Sequence, residues 1–214
     1  MKWLLEWPGW DDPIAVFTGS LNVVTAALAV FTFFLWRSTG ELVKKTSDTA
    51  KKELRAYVSM EEISLGVIQP TLGFPAMCRV TIIWGNGGKT PTKNLLSNID
   101  WKNFPQELPD DFDFPDNPNI PPTVGLIGPG RTLNSRNVDI PVDLVETQIA
   151  TKYQHLYIWG WVDYDDVIDG MRRHRTEFCV ELLRDGKLTS FRPQGKFNGA
   201  DDDCRRQPAP YVPA

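Results

Sequence analysis

An uninterrupted apolar stretch, Ile14 to Trp36 (IAVFTGSLNVVTAALAVFTFFLW), constrains what this chain can fold into more than any other feature. Its 23 residues carry neither a charge nor a proline. At about 1.5 Å per residue a helix of that length covers roughly 35 Å, enough to cross a hydrocarbon core of about 30 Å. Lipid offers no partner to a free N–H or C=O, so a spanning segment of this kind has to be helical. The sequence therefore predicts one transmembrane helix over residues 13–37. A secretory signal competes for the same stretch, because Ala27-Leu28-Ala29 supplies small residues around a cleavage position. The flanks fit that reading badly: Glu6, Asp11 and Asp12 stand where a signal carries positive charge.

The flanks also give the span a direction. Arg37, Lys44, Lys45, Lys51, Lys52 and Arg55 follow it closely, while Lys2 is the one basic side chain before it. The positive-inside rule then expects the amino terminus outside and the larger carboxy-terminal part in the cytoplasm of a bacterial inner membrane. Trp3, Trp7 and Trp10, spaced four and three apart in residues 1–12, expect a headgroup-level lip, with Trp36 and Arg37 anchoring the other end. Within the span Ala15, Gly19, Asn22, Ala26 and Ala29 recur at spacings of four, three, four and three. They line one helix face with small or polar groups on which a second copy could pack, giving a homo-oligomer within the lipid bilayer. Residues 38–55, rich in helix formers and in charge, expect a helical stalk.

Beyond Arg55 the pattern turns from helical to alternating. Strands are expected at 56–67, 76–84, 93–101, 132–139, 155–164, 171–183 and 187–192, which predicts an antiparallel β-sandwich of immunoglobulin-like type, about seven strands in residues 56–197. Asp185-Gly186 predicts a tight hairpin before the last strand. In the strand near His174 the alternation assigns His174, Thr176, Phe178, Val180 and Leu182 to the core, and Arg173, Arg175, Glu177, Cys179 and Glu181 to water. HLYIWGWVDY is apolar on both faces, as in a central strand, with Gly160 expected to mark a bulge. Residues 103–122, dense in proline and aspartate, expect a surface excursion in which Phe112 and Phe114 could meet a protein partner. Residues 198–214 show no apolar period and expect a flexible tail.

Chemistry is thinly represented. A net charge of -4 disfavours nucleic acid, which needs a basic surface. Three cysteines, Cys78, Cys179 and Cys204, make no disulfide framework, although a bridge between Cys179 and Cys204 is open. Gly85 to Thr90 (GNGGKT) imitates a phosphate loop, but Ile83 occupies the position of its first glycine and Pro91 blocks the helix that should follow. No cofactor or metal is expected, since no His or Cys pair has metal-site spacing. Two histidines leave little from which to build a nucleophilic triad. The acidic run Asp163, Asp165, Asp166 and Asp169 sits before Gly170 in an expected hairpin loop. Val167 and Ile168 deny it the alternating oxygens of a calcium loop.

The span, Arg55-Ala56-Tyr57-Val58, Asn86-Gly87-Gly88-Lys89-Thr90-Pro91 with Asn94, Gly128-Pro129-Gly130, Gly160, Tyr164 and Thr176-Glu177-Phe178-Cys179 together resemble a set of uncharacterised bacterial single-pass membrane proteins. These have an N-terminal span, a charged helix and a β-rich domain opening near the Arg-Ala-Tyr-Val segment. The resemblance implies the architecture and the inner-membrane site and brings no activity with it. The expectation is a non-enzymatic module that binds or scaffolds a protein at the membrane. The alternative is a tethered hydrolase or ligand-binding domain using Asp163–Asp169 with His155 or His174.

Overall fold

The apolar stretch is helical, and the helix continues past it: α1 runs Pro13–Leu54, 42 residues. Proline opens it, where the missing N–H has no partner to lose, and Lys51 and Lys52 close it against the negative end of the helix dipole. The structure is a computed structural model that describes residues 13–149, 153–168, 172–185 and 188–211. The expected tryptophan lip of Trp3, Trp7 and Trp10 lies outside them. Two units separate, residues 1–52 and 53–214. Among the described residues α1 is the one helix long and apolar enough to cross a membrane, and none of its apolar window is buried within the chain. Within the apolar stretch, Thr18, Thr25 and Thr32 donate their hydroxyls to the carbonyls of Ile14, Leu21 and Leu28 at 2.7–2.8 Å, so each of these hydroxyls has an acceptor within the helix.

The four-three stripe does not end with the apolar stretch. Continued at the same four-three spacing from Ala29, it passes through Phe33, Trp36, Gly40, Val43, Ser47, Ala50 and Leu54. Every charged residue of α1 falls off this line. Gly19, Asn22, Ala26 and Ala29 are exposed in the single chain, as are residues 16–36 throughout.

The β unit consists of two antiparallel sheets in a sandwich-like arrangement. The first contains β1 (Val58–Ile68), β2 (Met77–Asn86), β5 (Thr132–Asn134) and β6 (Val138–Pro141), with β2 between β1 and the other two. The second contains β3 (Thr92–Phe104), β4 (Thr123–Gly125), β7 (His155–Asp166), β8 (His174–Asp185), β9 (Leu188–Pro193) and β10 (Gly199–Ala200), in the order β10-β8-β7-β3-β4 with β9 also on β8. Each expected strand has a counterpart; the expected 132–139 strand divides into β5 and β6, and β4 and β10 are additions. β8 and β9 pair as the hairpin expectation requires, Asp185 opposite Leu188; Gly186 lies outside the described residues. Where the sheets face each other, β2 contributes Val80, Ile82 and Trp84, while β7 and β8 contribute Leu156, Ile158, Phe178, Val180 and Leu182. The alternation of apolar side chains along β2 is what makes this face.

Four expectations change in the folded chain. The supposed water face of β8 is closed: Arg175, Glu177, Cys179 and Glu181 are all buried. Residues 104–122 and the segment after β9 fold across it and form a second apolar cluster of Leu108, Phe114, Tyr157, Trp159, Trp161, Cys179 and Phe197. The segment expected as a loose tail packs back instead, with Gly199 and Ala200 opposite Glu177 and Thr176, and Cys204 buried. Gly160 marks no bulge, since it pairs in register with Ile99 and Phe178. Its lack of a side chain makes room: a Cβ there would lie 2.5 Å from the Asn98 carbonyl and 2.8 Å from the Phe178 ring.

Candidate functional site

The residues with chemistry gather at the place where the chain enters the β unit. Arg55 to Val58 is held by hydrogen bonds from three strands. Ala56 N donates to Asp166 Oδ1 at 2.7 Å, Tyr57 N to Asn86 Oδ1 at 3.1 Å, and Val58 N to the Tyr164 hydroxyl at 3.3 Å. Thr176 Oγ1 donates to Val58 O at 2.7 Å. The Arg55 guanidinium lies 3.1 Å from Asp201 Oδ2.

His174 stands behind this segment. Its Nδ1 is 2.7 Å from Asp201 Oδ1, and its Nε2 is 3.1 Å from Asp166 Oδ2, off the axis of a good hydrogen bond. The ring stacks on Tyr164 with centroids 5.4 Å apart. Each ring nitrogen thus faces a carboxylate, and the Arg55 guanidinium lies against Asp201 on the other side. Burial pushes the Asp201 carboxyl up, but the His174 hydrogen bond and the charges of His174, Arg55 and Arg172 bring it below its ordinary value. Burial, with a smaller push from the Asp201 and Asp166 charges, raises Tyr164 to about 12, keeping it a phenol that can bridge to Val58. His174 is only 1% exposed, so its ring is shut off from solvent.

The GNGGKT stretch belongs to the same junction. Asn86, 1% exposed, accepts from Tyr57 N and Gly88 N, and donates to Thr90 O at 2.8 Å and Ile127 O at 3.1 Å. The glycine at 88 lets the turn approach the entering strand, since a Cβ would lie 2.2 Å from the Arg55 carbonyl. Asn86 is a peg that closes a turn onto β1.

A second ionic cluster lies on the covered face. Arg175 grips Asp163 with two hydrogen bonds, 2.6 and 3.0 Å, lies 3.5 Å from Glu177, and sits over the Trp161 ring at 4.6 Å. The free lone pairs of these acids take up the backbone of the returning segment: Arg205 N and Arg206 N donate to Glu177 at 2.7 and 3.2 Å, and Ala209 N donates to Asp163 at 3.2 Å. Desolvation raises both carboxyls, although their partners oppose it. The 104–122 excursion is fastened similarly, with Trp159 Nε1 on Pro115 O at 3.1 Å, Trp161 Nε1 on Asp116 at 2.6 Å and Leu108 N on the Tyr157 hydroxyl at 3.1 Å.

The acidic run is therefore not a hairpin loop. Asp163, Asp165 and Asp166 form the end of β7, with Lys93 opposite Asp165 and Thr92 opposite Asp166. Asp163 faces Arg175, Asp165 takes Asn94 Nδ2 at 2.8 Å and Arg173 at 3.1 Å, and Asp166 faces His174; Asp169 lies outside the described residues. His155 begins the same strand, about 25 Å from Asp163 at the strand rise, and pairs with Glu181 at 2.7 Å. One site cannot hold both. Phe112 and Phe114 also turn inward. Phe114 is fully buried and stacks on Phe197 at 4.4 Å, and the half-buried Phe112 meets Trp159 edge-on at 5.2 Å, so the pair packs over the sheet. All three cysteines are free and buried. Burial pushes the Cys179 and Cys204 thiols up to about 12, which leaves them unreactive. No group of three potential metal ligands occurs among the described residues.

Arg55, Asp201, Arg175 and Glu177 were not singled out by sequence reasoning as site residues. A signal for the last two was present: if HLYIWGWVDY is apolar on both faces, its sheet neighbour must be covered on both faces too. No family model, curated protein or solved structure matches this chain.

Proposed function

We propose that this chain is a single-pass scaffold: α1 anchors it in a bacterial inner membrane with the amino terminus outside, and an immunoglobulin-like β unit in the cytoplasm binds another protein without chemistry of its own. Copies associate in parallel through α1. The observation that carries this reading is the uncharged line of residues that begins at Ala15 and Gly19 and holds its four-three spacing to Leu54, while the stalk's charges fall to either side. A spacing averaging 3.5 residues is the seam of a left-handed helix pair. Within the span its small residues allow close approach, with Asn22 able to bond across; in the stalk Val43, Ala50 and Leu54 continue it. Trp36 and Arg37 mark the level of the membrane surface. The histidines and buried carboxylates support the absence of catalysis, because they are engaged in fastening the chain's own segments.

For a protein client the free edge of β1 is the natural seat. Among the described residues β1, an 11-residue strand, pairs with β2 alone, and an unpaired edge can accept an added strand. Cysteines introduced one at a time from Gly40 to Leu54 in the membrane-inserted chain are expected to cross-link most at Gly40, Val43, Ser47, Ala50 and Leu54. A flat profile counts against the seam. A photo-cross-linker at the exposed Ser64 should give a reproducible adduct that a control at Leu188 does not; adducts at neither position count against the client.

A further inference from the structure

The hairpin between β1 and β2 ends in Val67–Ala76, VIQPTLGFPA, and is greasy where a water-facing tip would be polar. Leu72 is 103% exposed, Phe74 73% and Val67 65%. No charge occurs from Ile63 to Cys78, between Glu62 and Arg79. The backbone of the tip closes on itself: Thr71 N donates to Phe74 O at 3.1 Å, Phe74 N donates to Thr71 O at 3.0 Å, and Gly73, at φ 90°, makes the turn. Pro70 and Pro75 flank it and carry no N–H. A segment with apolar side chains outward and few unsatisfied donors is suited to lipid, where each free N–H is costly.

We propose that this tip is a second membrane contact, with Leu72 and Phe74 entering the headgroup-to-acyl boundary of the bilayer that α1 crosses. The proposal rests on the membrane-anchor reading and goes beyond it. The chain itself supplies the lipid at high local concentration. An interfacial depth of about 5–10 Å accommodates the Pro70–Pro75 turn. A protein groove is the other conceivable occupant. The tip offers it no arginine, tryptophan or tyrosine anchor and no charged rim, the groups by which protein interfaces select a partner. Lipid requires none of them.

The test uses the full chain reconstituted in phosphatidylcholine vesicles, with Leu72→Cys carrying an environment-sensitive fluorophore and Leu188→Cys, also exposed, on β9, as the control. The expected result is blue-shifted emission from the Leu72 probe and quenching by nitroxide-bearing lipid several-fold stronger than at Leu188, both lost when Phe74→Asp is added. Vesicle flotation with a Leu72 probe as wet as the Leu188 probe overturns the tip contact while leaving the anchor. A blue shift without nitroxide quenching means a protein occupant and overturns the lipid assignment. A chain that fails to float with vesicles overturns the anchor and the contact together.

Discussion

The two faces of the β7–β8 sheet are both dry, and they are built from different materials. The face toward the other sheet is aliphatic with a few rings except at the end where His174 meets Asp166, and its backbone neighbours are strands that satisfy their own hydrogen bonds. The opposite face holds Tyr157, Trp159 and Trp161 beside Asp163, Arg175, Glu177 and Glu181. What covers it is irregular chain, whose amides and carbonyls lack ladder partners. Buried backbone groups must be paired, so the sheet supplies indole N–H donors and carboxylate acceptors to the residues lying on it. Asn198 shows this on a small scale: its side chain bonds both Cys179 N and Cys179 O, each at 3.1 Å, filling the ladder gap between β10 and β9. A sheet covered by strands needs only shape, whereas a sheet covered by loops needs charge as well.

Two large truncations ask whether the second face is a core of equal weight. Trp84→Ala, on the inner face, and Trp159→Ala, on the covered face, are each expected to cost about 3–5 kcal/mol, read by chemical denaturation of the full chain. If Trp159→Ala costs under about 1 kcal/mol and only renders residues 104–122 sensitive to protease, the cover is an accessory and the comparison breaks. Asp163→Asn tests the ionic half. It leaves Arg175 buried without its main partner, and breaking such a pair costs about 3–5 kcal/mol. Replacing Asp163 and Arg175 together with apolar residues of similar size should recover much of that loss.

Acid titration separates the two ionic clusters by sign. The folded Asp201 carboxyl lies below its ordinary value, so its contribution is present above the ordinary carboxylate range and is lost as pH falls through the depressed value. Asp163 and Glu177 lie above theirs. Their contribution is full below the ordinary range and is lost as pH rises through the raised values. Asp201→Asn should therefore flatten the acid limb of a stability–pH curve, and Glu177→Gln should flatten the limb just above it; the same limb changing in both variants would refute the assignment. The smallest effect belongs to the hairpin tip, where Leu72→Ser should shift stability by no more than about 0.5 kcal/mol, since the side chain touches neither face.

Much of the fold was legible because strands and spans are announced by local period. The apolar run, the alternation along β2 and the Asp185 hairpin depend on residues near one another in sequence. The covering of the second sheet was not legible, because proline- and aspartate-rich segments look alike whether they hang in solvent or lie across an indole. Phe114 read as an exposed aromatic in an acidic loop and is a buried one; Asp201 read as part of a loose end and is the carboxylate that meets His174 and Arg55. The acidic run at Asp163 to Asp166 suggested a site, and the fold divides it among three separate partners.

By itself the sequence determined that a helix long enough to cross a membrane precedes a β-rich unit, and that the helix carries one uncharged line along its length. These follow from hydrophobicity and spacing, which act within a few turns or strands. Only the tertiary structure decided which polar residues are buried and with whom. Pairing Ala56 with Asp166, Arg55 with Asp201 and Glu177 with Arg205 joins positions far apart in the chain. A buried charge is tolerated only where the fold brings a partner to it, and no local pattern encodes that meeting.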